Sequence, residues 1–285
     1  MGSPLLRTAA WFARLLPPVC KQAIYRLGPL AGLIRRALNR AAPHGLTPVK
    51  IAAGDLAGYT LVLDLQNEKD YWLGTYEPEL QAALRILARS GMVAYDVGAN
   101  IGYISLLLAH HLGPEGRVYA FEALPQNLDR LRQNVALNHL DEQILVICGA
   151  VTAQRGPVRF LVHASGGMGK ADGSAGRQEE YQRAIQVNGF SLDEFVYEGG
   201  HPAPHLVKMD IEGGEVLALP GMKRLLQEAG PLCLLELHGP EAAQCAWETL
   251  TAAGYRLRLM RRGFPPLVSP ASLPWKAYVV ARREV

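Results

Sequence analysis

The sequence has few of the features that mark disulfide-bonded, membrane-spanning or nucleic-acid-binding proteins. Its 285 residues include four cysteines, none in the paired spacing of a zinc knuckle or a disulfide framework. We therefore expect a reducing, cytoplasmic environment, with Cys148 and Cys233 as buried thiols in apolar strand segments. No apolar run reaches the about 18 residues that a membrane-spanning helix needs. The net charge of +3 gives no general argument for a nucleic-acid partner.

Acidic residues are absent from the first 54 positions, which carry eight lysines and arginines. From Val19 to Leu38, apolar residues recur at spacings of three and four, which predicts an amphipathic helix with a basic opposite face. Gly28-Pro29 is expected to kink or divide this helix. A helix of this kind within residues 1–40 can make peripheral contact with an anionic membrane, at its inner face for a cytoplasmic protein. It can equally pack against its own catalytic domain, and the sequence leaves both alternatives open.

The most informative stretch is Asp96-Val-Gly98-Ala-Asn100-Ile-Gly102-Tyr103. A dinucleotide-binding motif has three glycines, as Gly-x-Gly-x-x-Gly, and this stretch has only two. The flanking apolar residues predict a strand, a glycine turn and a helix. The next predicted strand ends at Glu122, whose carboxylate can accept hydrogen bonds from both hydroxyls of a ribose. This order is typical of a nucleoside site at the carboxyl edge of a parallel sheet. Because Asp96 would repel a diphosphate, S-adenosylmethionine, with a ribose and a cationic end, fits better than NAD.

Four stretches together resemble the FkbM family of S-adenosylmethionine-dependent methyltransferases: Asp96–Tyr103, Val118–Glu122, Asn127–Asn138 and Val207–Glu215. The similarity extends from about residue 71 to about residue 238. Where the family usually has Glu-Pro, this chain has Glu122-Ala123, and its acidic motif reads Glu-Gly-Gly-Glu rather than Glu-Gly-Ala-Glu. Neither departure removes a charged group. The resemblance implies methyl transfer, most often to a hydroxyl oxygen of a sugar, glycolipid or natural product.

The same resemblance, with alternating predicted strands and helices, implies an α/β fold. We expect a Rossmann-like class I methyltransferase sheet, mostly parallel with an antiparallel last strand, and an N-terminal helical and hairpin extension. Residues 1–70 are assigned to the extension and residues 71–285 to the methyltransferase domain. Within that domain we predict a third strand over 144–151 and an edge strand over 157–163. Residues 165–176, rich in glycine, predict a mobile loop that is either a lid or a disordered crossing.

Catalytic groups are expected at the carboxyl ends of the fourth and fifth strands, where open α/β sheets bind ligands. Five side chains should converge there: Lys208, Asp210, Glu212, Glu236 and His238. For Lys208 the alternative is that it only pairs with a carboxylate. An alkyl hydroxyl has a pKa of about 16 and needs a base or a metal to react. Asp210 is the first candidate for the base or a metal ligand, and His238 is the second candidate for the base.

A divalent ion such as Mg²⁺ is the alternative to a protein base. Asp210, Glu236 and His238 offer the hard oxygen ligands and the imidazole that Mg²⁺ or Mn²⁺ would accept. The catechol O-methyltransferases offer an analogy for such a site, at the level of fold alone. The sequence does not decide between the two mechanisms, and the metal-free one is preferred at this point.

The predicted cofactor contacts are Glu77, Asp96, Gly98, Asn100, Gly102, Tyr103, Glu122, Ala123 and Ala150. Glu122 should bind the ribose hydroxyls, and Ala123 and Ala150 should pack against the adenine. Glu77 should contact the methionyl ammonium, unless it only begins a helix. The acceptor is expected to be a small molecule or a glycan, and its identity and the oligomeric state stay open. An NAD-type oxidoreductase and a catalytically silent nucleoside-binding scaffold are the alternative functions.

Overall fold

The computed structural model describes residues 28–164, 167–177 and 181–283, together with residues 6, 8, 9, 11 and 12. The chain divides into two compact units, one of residues 1–78 with 133–139 and one of residues 79–132 with 140–285. The division near residue 78 lies a few residues after the boundary expected from the sequence. Part of the predicted basic helix, including Val19, lies outside the described residues.

The first unit contains the predicted hairpin. Its elements are α1 (Gly28–Ala41), β1 (Leu46–Lys50), β2 (Thr60–Asp64) and α2 (Lys69–Leu73). The two strands are antiparallel, with Leu46 opposite Asp64. The side chains of Asn134 and Asn138 accept hydrogen bonds from the backbone N–H groups of Val62 and Thr60, at 2.7 and 2.8 Å. These side chains therefore pair backbone donors that no neighbouring strand satisfies.

The second unit contains most of the remaining elements. Its first half has α3 (Pro78–Leu87), β3 (Val93–Val97), α4 (Tyr103–Leu112), β4 (Arg117–Glu122), α5 (Pro125–Leu137), β5 (Ile144–Cys148), β6 (Ala150–Val151), β7 (Gly156–His163), β8 (Gly169–Ala171) and β9 (Tyr181–Phe190). Its second half has a π-helical turn (Glu194–Glu198), β10 (Leu206–Met209), α6 (Glu215–Ala218), a 3₁₀ turn (Leu219–Met222), α7 (Lys223–Glu228), β11 (Leu232–His238), α8 (Pro240–Ala252), β12 (Tyr255–Leu259), a 3₁₀ turn (Pro270–Ser272) and β13 (Lys276–Arg283). Residue 78 of α3 and residues 133–137 of α5 belong to the first unit.

A seven-stranded sheet organises this unit, in the order β12-β13-β11-β10-β3-β4-β5. The five strands from β11 to β5 are parallel, and β13 runs antiparallel to both β11 and β12. Counting only the strands of this sheet along the chain, the order is 3-2-1-4-5-7-6. The expected α/β fold with an antiparallel last strand is confirmed, and it is the class I methyltransferase arrangement. It brings the carboxyl ends of β3, β4, β10 and β11 to one edge.

A second sheet corrects three expectations. The third strand ends at Cys148, because β6 leaves the main sheet to pair with β9 in a four-stranded sheet of order β6-β9-β7-β8. Strand β7 pairs with both β9 and β8, so it is not an edge strand. The segment expected to be a mobile loop contains β8, while residues 165 and 166 lie outside the described part. A Cβ at Gly169 would lie 2.4 Å from the Phe160 ring, so this glycine serves close packing.

The main core lies on the large sheet and its helices. Tyr95, Val97, Val207, Met209 and Leu235 are all buried there, as expected for central parallel strands covered on both faces. Cys233 is buried as expected, but Cys148 is exposed because β5 is the edge strand of the sheet. Among the described residues, no helix combines the length and the apolar character that crossing a bilayer requires.

Candidate active site

The glycine turn after β3 packs tightly on its neighbours within the protein. Gly98, Asn100 and Gly102 all have left-handed backbones, with φ of 78°, 50° and 90°. A Cβ at Gly98 would lie 1.9 Å from the carbonyl oxygen of Asp210, and one at Gly102 would lie 2.5 Å from Leu131. The close backbone carbonyl therefore accounts for Gly98, and the left-handed φ accounts for Gly102, although the sequence predicted both as cofactor contacts.

Asp96 and Lys208 form a buried ion pair beneath this turn. The Nζ of Lys208 lies 3.0 Å from Oδ1 of Asp96 and donates to the carbonyl oxygen of Gly98 at 2.8 Å. The hydroxyl of Ser105 donates to Oδ2 of Asp96 at 2.6 Å. Both oxygens of the fully buried Asp96 are thus engaged inside the protein, which corrects the expectation that this carboxylate faces the cofactor. Lys208 pairs with a carboxylate, which was the simpler of its two predicted roles.

Glu122 braces the same turn and still fits a ribose. Its Oε2 accepts a hydrogen bond from the N–H of Asn100 at 2.8 Å, and its Oε1 accepts one from the N–H of Leu124 at 2.8 Å. Burial raises the pKa of Glu122, against the lowering effect of these two amides. A carboxylate has about four acceptor positions, and Ala123 adds a third amide contact, so Glu122 keeps a position for a hydroxyl. The residues at the end of β4 therefore suit the adenosine part of S-adenosylmethionine.

The other predicted cofactor contacts occupy different environments. Asn100 is half-buried, and Tyr103 is buried at the start of α4. Ala123 and Ala150 belong to a small apolar cluster with Leu124, Phe160, Val162 and Ala171. Glu77 lies in the first unit, where it is buried and has a φ of 44°. Their contacts with the cofactor remain predictions.

Four of the five side chains expected to converge do so: Glu236, Glu212 and Asp210 lie around the imidazole of the fourth, His238. Its Nε2 lies 3.0 Å from Glu236, 3.7 Å from Glu212 and 3.8 Å from Asp210. Alternation along β11 puts Glu236 and His238 on one face, and β10 ends at Met209, so the following turn carries Asp210 and Glu212 towards them. Lys208 lies outside this group because it pairs with Asp96.

The protonated imidazole of His238 and the carboxylates around it stabilise each other's charged forms. Burial lowers the pKa of His238, but hydrogen bonds with Glu215 and Glu236 and the charges of Asp210 and Glu212 outweigh it and raise the pKa to about 10. Burial raises the pKa of Glu236, but His238 and Lys276 outweigh it and lower the pKa to about 2. With these groups alone, the imidazole is a cation at neutral pH, which is not the protonation state of a general base.

Sequence reasoning missed three side chains that complete this region. Lys276 contacts Oε1 of Glu236, and Trp275 has its ring centroid 5.6 Å from that of His238. The guanidinium of Arg177 lies 4.8 Å from the Trp275 ring centroid. No local pattern marks these residues, because pairing of β13 with β11 brings Lys276 opposite His238. A fourth, Glu215, stands in the motif that carries the resemblance, and its Oε1 lies 3.9 Å from Nδ1 of His238.

The strand order is that of the class I methyltransferases, and the polar cluster lies at the carboxyl edge of this sheet. The chain matches the family described as "Methyltransferase FkbM domain" over residues 96–257, and it belongs to this family of S-adenosylmethionine-dependent methyltransferases. The predicted family is thereby confirmed. Family membership decides against the NAD-type oxidoreductase alternative.

Individual relatives are distant. The hexuronic acid methyltransferase AglP of Haloferax volcanii is 26% identical over 187 residues, which cover 65% of this chain and 73% of that protein. A solved FkbM methyltransferase from Methylobacillus flagellatus KT is 18% identical with a TM-score of 0.44, covering 78% of this chain and 56% of the other. A precorrin-6y C5,15-methyltransferase from Geobacter metallireducens GS-15 is 16% identical with a TM-score of 0.45, covering 73% and 89%.

Proposed function

We propose that this methyltransferase transfers the methyl group of S-adenosylmethionine to a hydroxyl oxygen of a sugar, a glycolipid or a sugar-bearing natural product. The observation that carries the proposal is the position of Asp210. Its side chain is 18% exposed at the carboxyl end of β10, whereas the neighbouring Asp96 and Glu236 are buried. Because ligands of open α/β sheets bind at this edge, Asp210 is a carboxylate that an acceptor can reach, and Glu212, whose side chain is 37% exposed, is another.

The reaction is an in-line displacement at the methyl carbon. The acceptor oxygen forms a bond to carbon as the carbon–sulfur bond breaks, and the electron pair of that bond stays on sulfur. Alignment of the three atoms lowers the barrier, but the hydroxyl must also lose its proton. Asp210 takes this proton directly; a cation held by Asp210 would instead lower the pKa of the hydroxyl. The products are a methyl ether and S-adenosylhomocysteine.

A sugar acceptor is supported by two observations of different kinds. The relative from Haloferax volcanii is named a hexuronic acid methyltransferase. In this chain, Trp275 is 38% exposed beside His238 and carries the Arg177 guanidinium over its ring. An aromatic ring suits the apolar face of a sugar, and a guanidinium suits a carboxylate such as that of a uronic acid.

The substitution Asp210→Asn tests the proposal, since it keeps the size of the side chain and removes its charge. We expect turnover to fall by at least about a hundredfold, the usual contribution of general base catalysis. The affinity for S-adenosylmethionine should change little. The measurement is mass detection of product from labelled S-adenosylmethionine with a panel of neutral sugars, hexuronic acids and glycolipids, and calorimetry for the cofactor.

Glu115→Gln is the matched control, because it also removes one charge at constant size, and Glu115 is exposed in the loop before β4. Its turnover should equal that of the unchanged protein. Full activity in Asp210→Asn would reject the role given to Asp210. Cofactor binding without methylation of any acceptor in the panel would favour a silent scaffold.

A further inference from the structure

Three ligand-type atoms at the carboxyl edge have the spacing of a metal-binding site. One atom each from Asp210, Glu236 and His238 lie within 4.8 Å of one another. The Nε2 of His238 is 3.0 Å from Glu236 and 3.8 Å from Asp210. In an octahedral site with ligands at about 2.1 Å, adjacent ligands are about 3.0 Å apart and opposite ones about 4.2 Å. The observed separations lie in or close to this range without rearrangement of the backbone.

Buried acceptor atoms supply a second, independent observation. The side chains of Glu236 and His238 are 4% and 3% exposed. Within the described part of the chain, Oε2 of Glu236 and Oε2 of Glu215 are buried without a hydrogen-bond partner. Burying a polar atom without a partner is costly, so these groups call for a further positive charge or donor.

The charges of the cluster point the same way. Four carboxylates surround the imidazole of His238, those of Asp210, Glu212, Glu215 and Glu236. The ammonium of Lys276 contacts Glu236, and its side chain is 48% exposed and able to move into solvent. Lys170 interacts electrostatically with Glu212, whose charge raises the pKa of that lysine against the lowering effect of burial. Negative charge therefore exceeds positive charge in a partly buried site, as in sites that bind divalent cations.

We propose that Asp210, Glu236 and His238 bind one divalent cation, Mn²⁺ or Mg²⁺, with Glu212 placed to add a fourth ligand. Carboxylate oxygens with one imidazole suit these ions, and Mn²⁺ accepts the imidazole more readily than Mg²⁺ does. The cation replaces the proton on Nε2 of His238 and displaces the Lys276 ammonium from Glu236. Its role in catalysis rests on the proposed function, because the cation would lower the pKa of an acceptor hydroxyl bound beside Asp210. This proposal takes the metal-assisted alternative, whereas the metal-free one is preferred on the sequence alone.

The test titrates Mn²⁺ into the full chain after dialysis against a chelator, followed by calorimetry and by the electron paramagnetic resonance signal of free Mn²⁺. Neither measurement needs cofactor or acceptor. We expect a single site. Asp210→Asn and Glu236→Gln should each weaken Mn²⁺ binding by at least about tenfold. A loss of about tenfold in metal affinity is already usual for mutation of residues that only hydrogen-bond to a metal ligand. Glu241→Gln, an exposed acid at the start of α8, is the matched control and should bind as the unchanged protein does.

Lys276→Met keeps a weak site measurable, since it removes the ammonium that competes for Glu236. Its affinity for Mn²⁺ should rise by about tenfold, as expected for loss of a nearby like charge. Absence of Mn²⁺ binding in both the unchanged protein and Lys276→Met would overturn the proposal. Binding that Asp210→Asn and Glu236→Gln leave unchanged would overturn it too. If methylation persists in chelator and no Mn²⁺ binds, the cation site is rejected and the proposed methyl transfer is kept. If Mn²⁺ binds but no acceptor is methylated, the cation site is kept and the proposed methyl transfer is rejected.

Discussion

Two ion pairs in this protein have nearly the same length and very different surroundings. Lys208 and Asp96 are 3.0 Å apart with 4% and 0% of their side chains exposed. Arg159 and Asp172 are 2.7 Å apart with 59% and 49% exposed. Solvent screens the second pair, while the first holds the ends of β10 and β3 in the low dielectric of the core. At the scale of single residues, burial rather than distance decides what an ion pair contributes.

Lys208→Met should lower the free energy of unfolding by about 3 to 5 kcal/mol, because it leaves the Asp96 charge buried and unpaired. Arg159→Met should lower it by less than about 1 kcal/mol. Urea unfolding followed by circular dichroism measures both. Equal losses would show that burial is not the deciding factor. Adding Asp96→Asn to Lys208→Met should recover part of the lost stability, since it removes the unpaired charge.

At the scale of a single element, helix α1 carries exposed apolar and basic side chains. Its Leu33 is 62% exposed, Arg36 and Arg40 are exposed, and Leu38 is buried. The neighbouring Leu46 is 57% exposed, and no acidic residue occurs in the first 54 positions. Exposed apolar and basic side chains on one helix suit an anionic lipid surface. We therefore propose that this part of the chain binds such a membrane peripherally.

The double substitution Arg36→Glu with Arg40→Glu tests this proposal in the full chain. Each basic residue near an anionic bilayer contributes about 1 kcal/mol, so losing two should weaken binding at least about thirtyfold. Co-sedimentation with phosphatidylserine-containing vesicles measures it. Arg261→Glu with Arg262→Glu makes the same charge change elsewhere and should bind normally. Equal sedimentation of all three proteins would discard membrane binding.

At the scale of the whole molecule, the last strand joins two parts of the sheet. Strand β13 lies between β11 and β12 and is hydrogen-bonded to both. Val279 and Ala281 in this strand are fully buried. The same strand places Lys276 against Glu236, so it contributes to the active site as well as to the core.

A chain that stops at residue 275 should therefore fail to fold cooperatively. Without β13, β11 becomes an open edge and β12 loses its partner, a loss comparable to the about 5 to 15 kcal/mol by which domains are stable. Soluble yield and thermal unfolding measure the effect. A chain that stops at residue 283 keeps all of β13 and serves as the control. Cooperative unfolding of the shorter chain at the same temperature would contradict this account.

Much of the site could be predicted from contiguous stretches of sequence. The turn from Asp96 to Tyr103 and the acid at Glu122 indicated the nucleoside edge, and the motif from Lys208 to Glu215 indicated the polar cluster. Each of these follows from strand and turn patterns over a few residues, which local backbone preferences determine. The hairpin in the first unit and the antiparallel last strand were expected as part of the fold that the family resemblance implies.

The sequence by itself thus determined the family, the alternation of strands and helices in the main sheet, and four of the side chains gathered at the carboxyl edge: Asp210, Glu212, Glu236 and His238. Only the tertiary structure decided that Lys208 pairs with Asp96, that Lys276 reaches Glu236, and that β7 is an inner strand. The physical reason is that such contacts depend on the register between strands far apart in the chain, which no local pattern encodes. Glycines were ambiguous for the same reason, since the residue that packs against Gly98 or Gly169 appears only in the folded protein.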